Sequence, residues 1–296
     1  MTDYTRSELY QWCKIPYIEL SRHSDRKIPF RLVKDSTEMG AIMARELVDE
    51  IQAHNKQGEP TRAILPCGPS CWYGPFTELV NRESVSLKRL IVYHMDECLD
   101  WQGKLLPPGH PFNFKQTMLK HFYDPVDSEL SVLEENRNWL LPENHKSISD
   151  SLLSMPIDIT YGGWGQDGHI AYNQARRQAY SQLSLEELRN STARIQENNP
   201  DTILALAQRV FGSAYQFVPP MSVTLGIKEC LSAKKVYLWS DTGAWKQTAL
   251  RVALFGPVTP EYPITLLQGH SGALLTATVA TASHPISEHP EWDLGI

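Results

Sequence analysis

The sequence lacks the features of a nucleic-acid-binding or membrane protein. Its 296 residues carry 28 Lys and Arg against 34 Asp and Glu, a net charge of −6, and no basic run, whereas a nucleic-acid surface needs clustered positive charge. No stretch approaches the about 18 uninterrupted apolar residues of a membrane span, and the start, MTDYTRSELYQW, has neither the basic nor the apolar part of a signal peptide. We expect a cytoplasmic protein with no nucleic-acid or membrane partner.

Patterns typical of metal sites and nucleotide phosphate loops are also missing. The five cysteines are an odd number without a C-x-x-C pair, and the ten histidines form no H-E-x-x-H. Cys67 and Cys71 have no histidine close by in sequence, so small buried thiols are the simplest interpretation. The P-loop signature G-x-x-x-x-G-K-[ST] is absent as well. We therefore expect reduced cysteines and no bound metal ion.

Short apolar runs are present instead, and each is followed by polar or glycine-rich residues. They are RAILPCG from Arg62, RLIVYHMDE from Arg89, IDITYGG from Ile157, KVYLWSD from Lys235 and ALLTATVA from Ala273. Runs this apolar are typical of strands buried on both faces. The stretches CWYGPFTELV, FNFKQTMLKHF and AWKQTALRVAL between them have helical patterns. The alternation predicts an α/β fold with a mostly parallel sheet and helices on both faces.

The boundaries of the predicted domain follow from the same patterns. Residues 1–30 are rich in Tyr and Trp and are predicted to be an N-terminal extension that caps the core or contacts another subunit. Residues 31–296 are predicted to form a single domain, beginning with an amphipathic helix capped by Ser36 and ended by Gly58. The polar stretch SLEELRNSTARIQENNPD lies within residues 176–210, which we predict to be a lid.

Residues with side chains suited to catalysis or ligand binding follow four of the predicted strands. In open α/β sheets, ligands bind outside the carboxyl ends of the strands. CGPS follows the first of these runs, MDE the second, GQDGH the third, and Lys246 comes shortly after the fourth. Four separate segments therefore indicate one cleft at this edge of the sheet.

The third segment contains a spacing that resembles a dinucleotide-binding loop. Gly163, Gly165 and Gly168 fit G-x-G-x-x-G directly after an apolar run. A dinucleotide site also needs a helix that opens at the third glycine and an acidic residue about 20 residues further on, at the end of a second strand. Glu186 and Glu187 fall at that distance, but in a polar, helix-prone stretch. The sequence therefore argues against a dinucleotide cofactor.

Acidic and imidazole groups in two of these segments are candidates for proton transfer. Asp167 and His169 flank Gly168, and a carboxylate beside an imidazole fixes its tautomer and raises its basicity. The alternative is an ordinary Asp-Gly turn with an incidental histidine. Asp96 and Glu97 are adjacent, so on a strand they point to opposite faces. One then faces the cleft as a base while the other anchors the loop, unless both are simply a solvated strand end.

The first segment and Lys246 are candidates for binding a phosphate. LPCGPSCWYG predicts a strand, a tight turn and a helix start, an arrangement that presents backbone N–H groups to an anion. Ser70 adds a hydroxyl and Lys246 a cation. The alternative is a structural turn in which Pro69 opens the helix.

Taken together, the motifs resemble a known family. LPCGPS, MDECLDWQGKLLPPGHPFNF, GGWGQDGHIAYN, SVTLGI and DTGAWKQTAL occur in an order and spacing similar to glucosamine-6-phosphate deaminases, in the wider group that includes 6-phosphogluconolactonases. The likeness covers roughly residues 32–280. It implies a Rossmann-like fold, a homo-oligomer and an aldose-to-ketose isomerisation of an amino-sugar 6-phosphate that releases ammonia and gives fructose 6-phosphate, without a redox cofactor.

The resemblance also implies roles for individual residues. Asp96 matches the base that moves a proton between C1 and C2, His169 the group that opens the sugar ring, and Asp167 the carboxylate that orients it. Gly68, Ser70 and Lys246 match parts of the phosphate site. The remaining predicted substrate-binding residues are Cys67, Pro69, Glu97 and Gly165.

A departure from the family pattern, and a lid residue that the motifs do not place, define the alternatives. Gln174 stands where the deaminases usually carry Glu, and we expect its amide to hydrogen-bond the imidazole and take part in catalysis without stabilising an imidazolium. The basic residue expected from the lid is Arg194 or Arg209. The alternative functions are a hydrolase of a 6-phosphogluconolactone, with His169 activating water, and a non-catalytic sugar-phosphate sensor.

Overall fold

The five apolar runs form parallel strands in a seven-stranded sheet. The computed structural model describes residues 4–176, 180 and 182–296. The strands, in chain order, are β1 (Phe30–Val33), β2 (Thr61–Leu65), β3 (Leu90–His94), β4 (Asp96–Leu99), β5 (Arg137–Asn138), β6 (Ile159–Gly162), β7 (Arg194–Glu197), β8 (Met221–Thr224), β9 (Lys235–Ser240) and β10 (Ala273–Thr278). The larger sheet has the order β1-β10-β9-β6-β2-β3-β5, and all its neighbouring strands are parallel. This confirms the predicted sheet.

The order of the strands reverses between β2 and β6. From β2 the chain continues outward through β3 to β5, then returns to β6 on the other side of β2 and continues through β9 to β10. Such a reversal leaves a crevice at the carboxyl ends of the two central strands. A Cβ atom built on Gly163, just after β6, would lie 3.6 Å from the Gly68 carbonyl oxygen and 3.4 Å from that of Trp239. The loops after β2, β6 and β9 therefore meet at this crevice.

Alternate residues of the central strands pack into separate cores on the two faces of the sheet. In β2, Ala63 and Leu65 belong to one core and Ile64 to the other. The first core includes the apolar side chains of the helices that follow β1 and β2, and the second includes those of the helix that follows β9. Since side chains alternate along a strand, this packing requires apolar residues at consecutive positions. The continuous apolar runs seen in the sequence are the result.

Helices connect the strands and cover both faces. They are α1 (Arg6–Cys13), α2 (Ser36–Gln57), α3 (Tyr73–Arg82), α4 (Phe114–Met118), α5 (His145–Leu153), α6 (Leu185–Arg189), α7 (Pro200–Val210), α8 (Ile227–Cys230), α9 (Gln247–Phe255), α10 (Val279–Ala282) and α11 (Pro285–Glu288). The predicted helix α2 ends as expected, at Gly58 with φ of 75°. Its cap is Asp35 and not Ser36, because the Asp35 carboxylate accepts the Thr37 and Glu38 N–H groups.

A second sheet of three antiparallel strands was not predicted. Its order is β4-β8-β7, and Asp96 and Arg194 both pair with Thr224 of the middle strand. The pair Asp96–Glu97 therefore begins a new strand after β3 has ended at His94, instead of closing β3. Part of the predicted lid is likewise a strand, β7. These segments are short and largely polar, so the sequence carries no hydrophobic alternation that marks them as strands.

The predicted N-terminal extension packs against the domain. Leu20 and Ile28 are fully buried in the core that includes α9, and α1 lies against α9. Residues 1–3 of this extension, and 177–179 and 181 of the predicted lid, lie outside the described residues. Within the described chain, none of the helices has the length and apolar character needed to cross a bilayer.

Candidate active site

A cavity of about 820 Å³ opens at the carboxyl ends of β2, β6 and β9. Its volume lies in the range typical of small-molecule sites. The loops after the three strands, the first residue of β4 and the last turns of α7 contribute side chains to its wall. The residues of the wall with polar or charged groups include Cys67, Ser70, Asp96, His169, Tyr172, Arg209, Trp245 and Lys246. All four segments predicted from the sequence thus reach one cavity.

Asp96 lines this cavity as the first residue of β4. Burial and the neighbouring Glu97 raise the pKa of its carboxyl group to about 7, although the His169 imidazole opposes the rise. A carboxyl group with this pKa exchanges its proton readily near neutral pH, as a general acid or base must. Its position supports the predicted proton-transfer role.

Glu97 points away from the cavity and holds the start of α4. Its carboxylate accepts the backbone N–H groups of Cys98, Phe114 and Lys115 at 3.0, 2.8 and 2.7 Å. Burial raises the pKa of Glu97 to about 6, and these hydrogen bonds limit the rise. The structure therefore brings Asp96 but not Glu97 to the cavity, and Glu97 has the anchoring position that adjacent strand residues lead one to expect.

Asp167 and His169 form a hydrogen-bonded pair in the loop after β6. The Asp167 Oδ1 to His169 Nδ1 distance is 2.6 Å, and Asp167 is only 3% exposed. Burial by itself would raise the pKa of Asp167, but the imidazole and its hydrogen bonds outweigh burial and lower it. An ionised carboxylate therefore faces Nδ1. This bond fixes the ring orientation and leaves Nε2 for proton exchange.

Tyr172 supports the imidazole and was not identified from the sequence. Its ring stacks on His169, with centroids 5.9 Å apart and planes at 14°. Its hydroxyl lies 3.2 Å from the Cys98 thiol, and its backbone N–H donates to Thr224. Tyr172 therefore connects the histidine loop to both β4 and β8. An aromatic residue three positions after a candidate histidine was the only signal in the sequence.

The glycines of the loop make room for the imidazole and let the backbone turn. A Cβ atom on Gly165 would overlap the His169 ring, and Gly168 has φ of 72°. The Gly168 N–H donates to the Gly165 carbonyl, closing the turn. In the described residues between Gly168 and Leu185 there is no helix. The loop therefore lacks the helix start that a pyrophosphate site requires.

We expect Gly165→Ala to destabilise the protein. The added methyl must push the imidazole from the Asp167 carboxylate or displace the backbone, and such overpacking costs about 1–3 kcal/mol in the free energy of unfolding. Urea unfolding measures this change. Gly74→Ala is the matched control, since Gly74 lies on α3 with open space around its Cβ position. An unfolding free energy unchanged in Gly165→Ala would mean that the imidazole does not lie against Gly165.

The turn after β2 is held by a tyrosine. The Tyr73 hydroxyl donates to the Cys67 carbonyl at 2.6 Å, and Cys67, Gly68, Pro69 and Ser70 line the cavity. Burial raises the pKa of the Cys67 thiol, so the thiol stays neutral. The alternative interpretation, in which Pro69 opens the helix, is wrong, because α3 begins at Tyr73 with Trp72 as its cap residue.

Two cations share one indole ring at the cavity wall. The Arg209 guanidinium carbon lies 4.4 Å and the Lys246 Nζ 4.8 Å from the Trp245 ring centroid. Burial and Arg209 lower the pKa of Lys246 to about 7, although Asp241 and Asp167 oppose the change. Close cations of this kind are stabilised when an anion binds between them. Ser70, Lys246 and Arg209 therefore form the candidate phosphate site.

Arg209 is the basic residue that the predicted lid brings to the cavity. It lies in the last turn of α7. The other candidate, Arg194, donates to the Asn173 side-chain oxygen at 2.9 Å and is absent from the cavity wall.

Curated relatives identify the family. A glucosamine-6-phosphate deaminase of Yersinia enterocolitica is 30% identical over 253 residues, which cover 82% of this chain and 87% of the relative. One of Pasteurella multocida is 32% identical over 242 residues, which cover 78% and 83%. The chain belongs to the glucosamine-6-phosphate deaminase family. No protein-family model matches the chain.

Solved structures share the fold of this glucosamine-6-phosphate deaminase family member. A monomeric glucosamine-6-phosphate deaminase superposes with a TM-score of 0.72 at 22% identity, covering 86% of this chain and 98% of the other. A 6-phosphogluconolactonase from Trypanosoma cruzi superposes with a TM-score of 0.61 at 16% identity, covering 88% and 98%. The likeness confirms the fold that the motifs imply.

The structure does not place Gln174 where the family resemblance leads one to expect it. Among the described residues, the side-chain hydrogen bond of the His169 ring goes to Asp167 and none goes to Gln174. The Gln174 amide instead donates to the Thr202 hydroxyl, and its oxygen accepts the Asn199 N–H at 2.9 Å. Gln174 is buried against the start of α7 and is absent from the cavity wall, although Tyr172, two residues before it, lines that wall.

Proposed function

We propose that this protein is a glucosamine-6-phosphate deaminase. It converts an amino-aldose 6-phosphate and water into fructose 6-phosphate and ammonia. The observation that carries the proposal is that one cavity presents a carboxyl group with a near-neutral pKa, an oriented imidazole and a pair of cations. These groups match the three tasks of the reaction: moving a proton between carbons, opening a ring and holding a phosphate.

The phosphate binds first and orients the sugar. Lys246 and Arg209 supply charge, and Ser70 supplies a hydroxyl hydrogen. Trp245 keeps the two cations close together before the substrate arrives, so little ordering is needed on binding. The sugar carbons then extend from this end of the cavity toward His169 and Asp96.

His169 opens the ring by moving one proton. The imidazole takes the proton of the C1 hydroxyl and returns one to the ring oxygen as the C1–O bond to that oxygen breaks. Asp167 stays ionised and stabilises the transient imidazolium. The stacked ring of Tyr172 keeps the His169 imidazole in its orientation.

Asp96 then carries a proton from C2 to C1 of the open chain. Removing the C2 proton gives an enolamine, and returning a proton to C1 leaves an iminium at C2. Water adds to C2 and ammonia leaves, so atoms balance and no electrons are gained or lost overall. The proposed reaction therefore needs no redox cofactor.

The pH dependence of kcat/KM is expected to be a narrow bell centred near pH 7. Asp96 acts as a carboxylate, which is lost as pH falls below its pKa of about 7, and Lys246 acts as an ammonium, which is lost as pH rises above its pKa of about 7. An arginine stays charged across this pH range, so Lys246→Arg is expected to remove only the alkaline limb of the bell. The titration of the substrate itself affects the parent protein and Lys246→Arg equally, so it cancels when their pH profiles are compared. An alkaline limb unchanged in Lys246→Arg would contradict the assignment.

A substrate panel tests the proposed function. The purified protein is incubated with glucosamine 6-phosphate, and ammonia and fructose 6-phosphate are measured; hydrolysis of a 6-phosphogluconolactone is measured in parallel. Equal amounts of the two products support a deaminase. Turnover of the lactone alone would show a lactonase, and calorimetric binding of the phosphosugar without product would show a sensor.

The proposal extends to the location, the subunit assembly and the domain organisation of the protein. We infer a cytoplasmic homo-oligomer in which residues 31–296 form one domain and 176–210 a lid over the cavity, with Arg209 as the lid's contribution to the phosphate site. Light scattering of the purified protein measures the number of subunits.

A further inference from the structure

Helix α7 is fastened at its start to the loop that carries His169. Four hydrogen bonds join them. The Gln174 amide donates to Thr202, and its oxygen accepts the Asn199 N–H. The Asn199 side chain donates to the Ala175 carbonyl, and Gln166 donates to the Asp201 carbonyl at 2.7 Å. Gln174 is 6% exposed and uses both ends of its amide in this cluster.

The other end of α7 forms part of the cavity wall. Arg209 lies in its last turn and stacks on Trp245, and Leu206 also lines the cavity. A helix of 11 residues spans roughly 16 Å and moves as a rigid rod. A displacement of its start near Gln174 therefore displaces Arg209 from Trp245 and Lys246.

We propose that Gln174 is a positioning residue for the substrate's phosphate, acting through α7 and Arg209. The inference rests on the proposed function of Arg209 in binding that phosphate. Among the described residues, Gln174 does not hydrogen-bond the imidazole and does not line the cavity, whereas its amide holds the start of α7, so the helix carries its effect to the phosphate. It differs in this from the catalytic role that the sequence suggests.

The hydrogen-bonding groups of this cluster determine which substitutions at position 174 keep α7 attached. The Asn199 N–H needs an acceptor, which Gln and Glu both supply and Ala does not. The Thr202 hydroxyl accepts from the Gln174 amide and can instead donate to a carboxylate. A negative charge at a helix start is also favourable. Glu at position 174 therefore retains the attachment, whereas Ala removes it.

The test is a double-mutant cycle on KM and kcat. We expect Gln174→Ala to raise KM for glucosamine 6-phosphate about three- to tenfold, the effect of about one net hydrogen bond, with kcat within about twofold. Gln174→Glu is expected to restore KM. In an Arg209→Ala background, Gln174→Ala is expected to change KM by less than about twofold, because the residue it positions is gone. Gln208→Ala, at an exposed position of the same helix, is the control.

Three results would overturn the inference. They are a fall in kcat with KM unchanged, an equal rise in KM with and without Arg209, and a rise in kcat in Gln174→Glu, which indicates contact with the imidazole. If the parent protein shows no turnover, the proposed function fails and the cycle is run on the Kd of the phosphosugar by calorimetry. A Kd that responds to Gln174→Ala only when Arg209 is present still supports the inference, and a Kd that does not respond refutes it.

Discussion

Asp96→Asn is expected to abolish most of the release of ammonia, lowering kcat by about 10²- to 10⁴-fold, the range found for general acid–base groups. An amide has nearly the shape of the carboxyl group but cannot take the proton from C2. Asp96 is not among the charges that act on Lys246 or Arg209, so KM is expected to change little. Steady-state measurement of ammonia release gives both constants.

Asp150→Asn is the matched control for Asp96→Asn. Asp150 is an exposed carboxylate on α5 that does not line the cavity. Its substitution is expected to leave kcat and KM unchanged. Retention of more than about a tenth of kcat in Asp96→Asn would mean that another group moves the proton.

Lys246→Ala is expected to weaken substrate binding strongly. A hydrogen bond to a charged group contributes about 1.5–3 kcal/mol, which corresponds to a rise of roughly 10- to 150-fold in KM. The loss is greatest where the Lys246 ammonium, with a pKa of about 7, meets a phosphate with two charges, which forms above about pH 6, so the effect is expected to be largest between pH 6 and 7. KM for glucosamine 6-phosphate over this pH range measures it.

Lys228→Ala is the control for Lys246→Ala. Lys228 is an exposed lysine on α8, away from the cavity wall. Equal KM values for the parent and Lys246→Ala would place the phosphate elsewhere in the cavity, and a fall in kcat alone would make Lys246 part of the chemical steps.

The main sheet was predictable because burial on both faces leaves a direct mark in the sequence. Runs such as the one that contains Ala63, Ile64 and Leu65 have no polar residue to place on either face. The three-stranded sheet has no such mark. Its strand β7 is the polar segment Arg194–Glu197, and its pairing depends on β8, more than 20 residues further along the chain.

The site was predictable where a residue lies directly after a strand of the main sheet. His169 and Ser70 are brought to the cavity by the strands that precede them, and Asp167 is buried beside His169. The position of Gln174 was not predictable, because it depends on contacts with α7 that no local pattern encodes. Neighbouring residues of a motif can therefore point to different parts of the molecule.

The decisive measurement is a crystal structure of the protein with the open-chain 2-amino-alditol 6-phosphate derived from glucosamine 6-phosphate. We expect the phosphate between Lys246 and Arg209, the Asp96 carboxyl group beside C1 and C2, and the His169 imidazole beside the C5 hydroxyl. A phosphate bound away from the two cations, or C1 and C2 out of reach of Asp96, would contradict the proposed roles of these residues.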